Sequence, residues 1–440
     1  MKTPIIDFIE SYNKSGIVRL HMPGHKGVPI LGAESLDITE IKGADYLYEA
    51  EGIIAQSEAN MSSLYGSALT CYSTEGSSLS IKGMLAAARE QLGELHIAAA
   101  RNCHRAFLNG CILLDLDPVW IYPEKPSENL CATSVTAEDV RRVFTEHPEL
   151  NAVYLTSPDY LGNMADIKGI ASACREREAL LLVDNAHGAY LRFAGEGLHP
   201  LELGADLCCD SAHKTLPALT GTSLLHVSRS APEGLAGRVK AAMSLFASTS
   251  PSYVLLSSLD RLTSELAGEL PRRIIECCRR VAEVKSELAA MGFELSGSEP
   301  MKLTLAAPGY TGDELAGQLR SRGIEPEYSD EGCVVLMPSP YNSGEDFERL
   351  VSALRELPKR EGGRLPRPEL PSAQKAMTLR EAYFAPFERI PVDKAAGRVC
   401  ARSAMSCTPS VPVIVGGEVF DEKLINFLKR YSFFEADVVK

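Results

Sequence analysis

The chain reads as an α/β protein with a mostly parallel sheet, followed by a smaller α+β region. Three observations predict this. From about residue 94 to residue 230, short apolar runs alternate with amphipathic segments, the order that builds a parallel sheet flanked by helices. Over 440 residues, 45% are hydrophobic and 23% charged, a globular composition with enough apolar side chains for a sizeable core. The chemistry-bearing residues of that stretch fall where its apolar runs end, and ligands of such sheets sit beyond the carboxyl ends of the strands.

The elements follow in order. Residues 4–15 form a short amphipathic helix closed by Gly16. His21-Met22-Pro23-Gly24-His25-Lys26-Gly27 is a polar loop, with no Cys or carboxylate at ligand spacing to make it a metal site. Residues 51–69 carry Ile53, Ile54, Met61 and Leu64 at helical spacing. Glu75-Gly76-Ser77-Ser78-Leu79-Ser80 then opens a helix through Ile81, Met84, Leu85, Ala88 and Arg89. Gly and hydroxyl residues at a helix start suit an anion, through free N–H groups and the dipole; they suit plain N-capping equally well.

Strands are expected at His96–Ala100, Pro118–Tyr122, Ala152–Thr156, Leu180–Val183 and Ala205–Cys209. Helices are expected at Cys103–Leu113, Thr136–Glu146 and Ile167–Glu176. One long helical periodicity over 259–292 leads out of the first domain. A strand–helix–strand–helix order follows, at Lys302–Ala306, Thr311–Ser321, Gly332–Met337 and Glu345–Leu354. Residues 357–372, rich in Lys, Arg, Glu and Pro, form a linker, and the chain ends in an amphipathic helix near Glu422–Tyr431. The expected organisation is an N-terminal arm (1–44), a large α/β domain (45–265) and a C-terminal α+β region (266–440).

The net charge of −13 argues against a nucleic-acid partner, which would call for basic stripes. No window approaches the 18 or so apolar residues of a membrane span, and the start lacks a signal-peptide core. The twelve Cys include no C-x-x-C; Cys208-Cys209 and Cys277-Cys278 read as reduced core residues, so the expected compartment is the cytoplasm.

The sharpest stretch is Ser211-Ala212-His213-Lys214-Thr215-Leu216-Pro217, just after an apolar run. A lone Lys in a loop is ordinarily a solvated charge. Here its companions change the reading. Pyridoxal 5′-phosphate (PLP) needs a Lys for its Schiff base, a carboxylate at the pyridine nitrogen, a cradle for the phosphate and a flat group against its ring. Lys214, Asp184, the Gly76–Ser80 loop and His104 meet those needs in turn, and Asp184 precedes Lys214 by about thirty residues with a strand between them. Ser157-Pro158-Asp159 ends another expected strand of the same sheet.

With these residues the sequence resembles the PLP-dependent ornithine/lysine/arginine decarboxylases of the aspartate-aminotransferase fold type, in particular the short bacterial members without an N-terminal wing domain. The resemblance runs nearly end to end. It is densest at His21–Gly27, Thr39–Ile54, Glu75–Ser80, Arg101–Arg105, Asp184–Ala189, Ser211–Thr220, Thr249–Tyr253 and Pro412–Glu418. It implies a fold-type-I large domain, with Lys214 as the Schiff-base residue and Asp184 at the pyridine nitrogen. It places His104 on the ring, Ser77 and Ser78 at the phosphate, Ser211 and His213 beside phosphate and Lys, and His187 near the Schiff base. It also implies that Thr249 and Ser250 reach the phosphate of a neighbouring subunit, so that a homodimer carries its active sites at the interface.

The departures gather on the substrate side. Tyr46 and Tyr48 stand where the family has Asp and His, Asn185 where it has Glu, and Glu75 where it has Asn. Arg402 stands in place of a family Glu suited to the distal amine of a basic substrate; like charges about 4 Å apart repel by roughly 4 kcal/mol at an effective dielectric of 20. Cys407-Thr408-Pro409-Ser410-Val411-Pro412 replaces a Pro-rich turn. The leading expectation is therefore an amino-acid decarboxylase that releases CO₂ and an amine. Two others stand beside it: transamination or another lyase reaction on a non-basic amino acid, and a cofactor-holding inactive homologue.

Overall fold

The structure, a computed structural model, describes residues 1–124, 131, 132, 134–360, 362, 372–405 and 411–440. Two compact units divide the chain: Met1–His96 with Glu149–Leu155 and Ile167–Arg272, and Ile97–Pro148 with Thr156–Asp166 and Arg273–Lys440. The strands of the α/β region are β1 (Leu69–Ser73), β2 (Ile97–Ala100), β3 (Val119–Ile121), β4 (Ala152–Thr156), β5 (Leu180–Asp184), β6 (Leu207–Asp210) and β7 (Ser223–Val227).

In the first unit the spatial order is β1-β7-β6-β5-β4. β5 and β6 pair in parallel, Asp184 opposite Cys209, and every residue of both is buried. That suits continuous apolar runs covered on two faces by helices. β7 alone runs against its neighbours, so that Leu225 faces Cys71 of β1 on one side and Cys209 of β6 on the other. Helix Gly76–Leu92 packs on β7, β6 and helix Leu235–Ser244. A Cβ at Gly83 would fall 2.5 Å from Met243 Cγ and 3.2 Å from its Cα, so only Gly allows the two helices this approach. Helix Pro4–Lys14 starts on a Pro, and its next two N–H groups, of Ile5 and Ile6, both donate to Asp260 Oδ2 at 3.0 Å. Ser57 Oγ donates to the other Asp260 oxygen at 2.6 Å. Donors that a helix start leaves open are thus satisfied from helix Tyr253–Leu266.

In the second unit β2 and β3 pair in parallel around helix Arg105–Leu114. Tyr328–Ser329, Val334–Leu336, Leu303–Ala306 and Glu294–Ser296 form an antiparallel sheet in that order. Its helices, Gly312–Ser321 and Gly344–Arg355, each begin with a capping box, Thr311 with Glu314 and Ser343 with Asp346. Further along, Phe387–Pro391 pairs with Glu435–Val439 over a core that includes Val413, Phe420, Leu424 and Val438.

Two expectations are corrected. The periodicity over 259–292 belongs to two helices, Tyr253–Leu266 and Leu270–Ala290, because Gly268 and Pro271 interrupt the first and start the second. The chain ends not on helix Glu422–Arg430 but on strand Glu435–Val439, where Ala436 and Val438 turn inward at the period of two that a strand needs. Most of the expected linker (361 and 363–371) and residues 407–410 of the altered turn lie outside the described residues.

Candidate active site

In the first unit, Asp184 is the last residue of β5 and 2% exposed. Its Oδ2 accepts from Tyr154 Oη at 3.1 Å; its Oδ1 accepts from the Ala186 N–H at 3.1 Å and from the Cys209 thiol at 3.6 Å. Three donors therefore fix the carboxylate. β6 ends beside it, and Ser211 begins a single helical turn, Ala212–Thr215, that carries Lys214 outward. Lys214 Nζ lies 3.2 Å from Nε2 of the buried His187, three residues beyond Asp184. Parallel neighbours thus bring Asp184, His187 and Lys214 together.

Ser211 Oγ donates to Ser77 Oγ at 2.9 Å, which ties the Lys turn to the start of helix Gly76–Leu92. That start has no side-chain cap, Gly76 adopts φ +69°, and a Cβ there would meet nothing within 4 Å. The result is an open helix N-terminus suited to an anion, with Ser77 half-buried and Ser78 exposed on its first turn. His213 turns away: its Nδ1 lies 2.8 Å from the Thr222 carbonyl, to which it donates. Burial, aided by the Lys214 charge, pushes its imidazole below the ordinary value against that hydrogen bond, so it is neutral at neutral pH. Thr249 and Ser250 lie exposed in the loop after helix Leu235–Ser244.

In the second unit, His104 caps helix Arg105–Leu114, its Nδ1 accepting from the Ala106 N–H at 3.1 Å. The bond locks the ring and places any proton on Nε2. Asp159 has an ordinary local role: it is buried and accepts from the Leu161 and Asn163 N–H groups at 2.9 and 2.8 Å.

The departures at positions 46, 48, 75, 185 and 402 each have a physical partner. Glu75 accepts from the Ser248 N–H at 2.8 Å and so holds the loop that carries Thr249 and Ser250. Tyr46 and Tyr48 meet edge to face with centroids 6.2 Å apart, and burial raises the Tyr48 phenol far above its ordinary value. The retained Asp45 between them and the arm accepts from Gly52 and Ile54 N–H groups, starting helix Ile53–Tyr65. Arg402 is exposed, and its guanidinium rests 4.1 Å from the centre of the Phe387 ring and 5.5 Å from that of Tyr383. Asn185 Nδ2 donates to Asp210 Oδ1 at 2.6 Å.

Asp210 is the polar group that sequence reasoning missed. It is fully buried at the end of β6, where His199 and His226 approach its other oxygen at 3.0 and 3.2 Å. Burial would raise its carboxyl, but the two imidazoles outweigh burial and hold it well below the usual range. Its one sequence signal was its place directly before Ser211. His199, Cys208 and Asp210 offer ligand atoms within 4.8 Å of one another, yet the Asp210 oxygens are already engaged by protein donors.

Solved amino-acid decarboxylases share this α/β architecture. The chain matches over 100% of its length a lysine decarboxylase of Francisella novicida (TM-score 0.82, 17% identity, 81% of that chain) and over 100% the constitutive lysine decarboxylase of Escherichia coli (TM-score 0.80, 17% identity, 82% of that chain). The sequence profile described as Orn/Lys/Arg decarboxylase, major domain, matches residues 3–304, and that of the family's C-terminal domain matches 366–438. Proteins named arginine decarboxylase from Bacillus subtilis and Halalkalibacterium halodurans are 30% and 29% identical over 97% and 98% of this chain and 93% of each relative. The chain belongs to the Orn/Lys/Arg decarboxylase family. It is an amino-acid decarboxylase.

Proposed function

We propose that the protein is a PLP-dependent decarboxylase of a basic amino acid, with arginine the foremost candidate substrate. The observation that carries this is the Lys214–His187 contact of 3.2 Å beside the carboxylate of Asp184. The site fits PLP on its own chemistry: an amine for the aldehyde, a fixed carboxylate for the pyridine nitrogen, and an uncapped helix start with serine hydroxyls for the phosphate. When bound, PLP supplies an electron sink for the bond that breaks as CO₂ leaves. The chain's own residues do the rest. Asp184 presents an acceptor that its three donors hold in place, and Ser77, Ser78, Ser211 and the N–H groups of the first helical turn after Gly76 would hold the phosphate. His104 offers a ring whose tilt its capping bond fixes. Lys214 and His187 hold one proton between them, available to the substrate carbon once CO₂ has gone.

Arginine is put first because the full-length relatives carry that name. Measured CO₂ release is expected to be fastest from arginine, slower from lysine and ornithine. Silence with all three would end the basic-substrate reading, and a keto acid product would make the enzyme a transaminase.

The same reading includes a homodimer in the cytoplasm. Ile17, Val18, Leu20, Met22, Val28, Ile30 and Leu31 are each between 59% and 93% exposed within one short segment, and such apolar exposure is usual for a surface that another chain covers. The exposed Thr249 and Ser250 suit a place at a neighbour's phosphate site, and the thiols of the adjacent Cys208 and Cys209 suit a reducing compartment. Sedimentation is expected to give a dimer, with Leu20→Ser/Leu31→Ser shifted toward monomer; a monomeric wild type would overturn this.

Among the described residues no helix is long and apolar enough to cross a membrane.

A further inference from the structure

Asp210 takes no part in the chemistry described above, yet it is among the most heavily engaged side chains of the first unit. Its Oδ1 accepts from Asn185 Nδ2 at 2.6 Å and from the Cys208 thiol at 3.6 Å. Its Oδ2 faces His199 Nε2 at 3.0 Å and His226 Nε2 at 3.2 Å. The far nitrogens of both rings are engaged too. His199 Nδ1 accepts from the Leu201 N–H, and His226 Nδ1 lies 2.8 Å from Thr70 Oγ1. Tyr65 stacks on the His226 ring at 4.3 Å. The N-cap of helix Pro200–Leu203, β6, β7 and the end of β5 thus converge on one carboxylate, with β1 behind His226.

The contact that matters is Asn185. Its backbone N–H donates to the Cys209 carbonyl at 2.9 Å, and its carbonyl accepts from the Gly188 N–H at 2.7 Å. A Cβ at Gly188 would come within 2.0 Å of Asn185 Oδ1, so the turn 185–188 wraps around this side chain. Asn185 follows Asp184 and His187 lies two residues on. The family pattern has Glu where Asn185 stands. A carboxylate there, 2.6 Å from Asp210, would force the two to share a proton. Here the amide is on β5's end and the carboxylate on β6's.

We infer that Asp210 is a positioning residue: by gripping Asn185 it fixes the turn that presents Asp184 and His187 to Lys214. The inference rests on the PLP reading above. The amide at position 185 pairs with Asp210 without setting a second carboxylate beside it, and the turn that carries Asp184 and His187 keeps its hold.

The test uses the full chain reconstituted with PLP, comparing wild type, Asn185→Asp, Asp210→Asn and the double variant that exchanges the two groups. Three quantities are read: PLP affinity by titration, the absorption maximum of the bound cofactor, and kcat separately from KM. Each single change is expected to weaken PLP binding about tenfold and to move the absorption maximum, with the loss carried by kcat. The double variant is expected to regain most of both. Asn185→Ser, which deletes only the grip, covers the case in which Asp210→Asn does not fold. Wild-type affinity and spectrum in Asn185→Ser would overturn the inference while leaving the PLP reading in place. A wild-type chain that takes up no PLP would overturn both.

Discussion

Lys214→Ala is expected to lower CO₂ release by about 10³-fold or more, because it removes both the amine that engages the cofactor and one of the two groups that hold the proton. Stability is expected to stay near wild type. Lys214 is exposed on a single helical turn, and Ala suits a helix better than most residues. The variant therefore separates chemistry from folding. Borohydride reduction supplies a second measurement: wild type should retain covalently pinned PLP on the peptide that contains Lys214, and the variant none. Turnover that survives in Lys214→Ala would remove this residue from the mechanism. A wild type that pins PLP yet turns over no amino acid would instead mark a cofactor-holding inactive homologue.

The parts of the site legible from sequence were those whose chemistry is written locally. Asp184 closes an unbroken apolar run and Lys214 comes just beyond another short one, and an apolar run followed by ionisable residues points to the carboxyl end of a buried strand. β7 was not legible. Ser223 and His226 interrupt its apolar pattern, and its pairing with β1 and β6 comes from residues far away in sequence. The departures at 75 and 185 could be seen in the sequence but not interpreted there. Glu75 finds its partner 173 residues away at Ser248, and Asn185 finds Asp210 across a strand pair. Arg402 shows the same limit from the other side: its charge could be read in the sequence, but the rings of Phe387 and Tyr383 that receive it could not.

Arg101→Met is expected to destabilise the second unit by about 3–5 kcal/mol, the cost of leaving a buried charge without its partner. Arg101 closes the approach from β2 to His104, and its Nη2 lies 3.3 Å from Glu418 Oε2 and 3.2 Å from the Val413 carbonyl, to which it donates. Arg101 is 8% exposed and Glu418 3%, and the guanidinium lies 4.9 Å from the centre of the Trp120 ring. The pair also anchors a turn, since Glu418 Oε2 accepts from the Val415 N–H at 2.7 Å. Arg101 Nε and Nη1, Glu418 Oε1 and both polar atoms of Asn102 have no hydrogen-bond partner among the described residues. An interaction with so many open valences adds little net stability over an apolar pair of the same shape, while the loss of one partner costs a great deal. Urea unfolding should therefore find Arg101→Met/Glu418→Leu closer to wild type than Arg101→Met alone. If the double variant is instead the less stable of the two, Glu418 finds other compensation once Arg101 is gone, and the ion pair is not what holds the Val413–Glu418 turn against the segment that leads to His104.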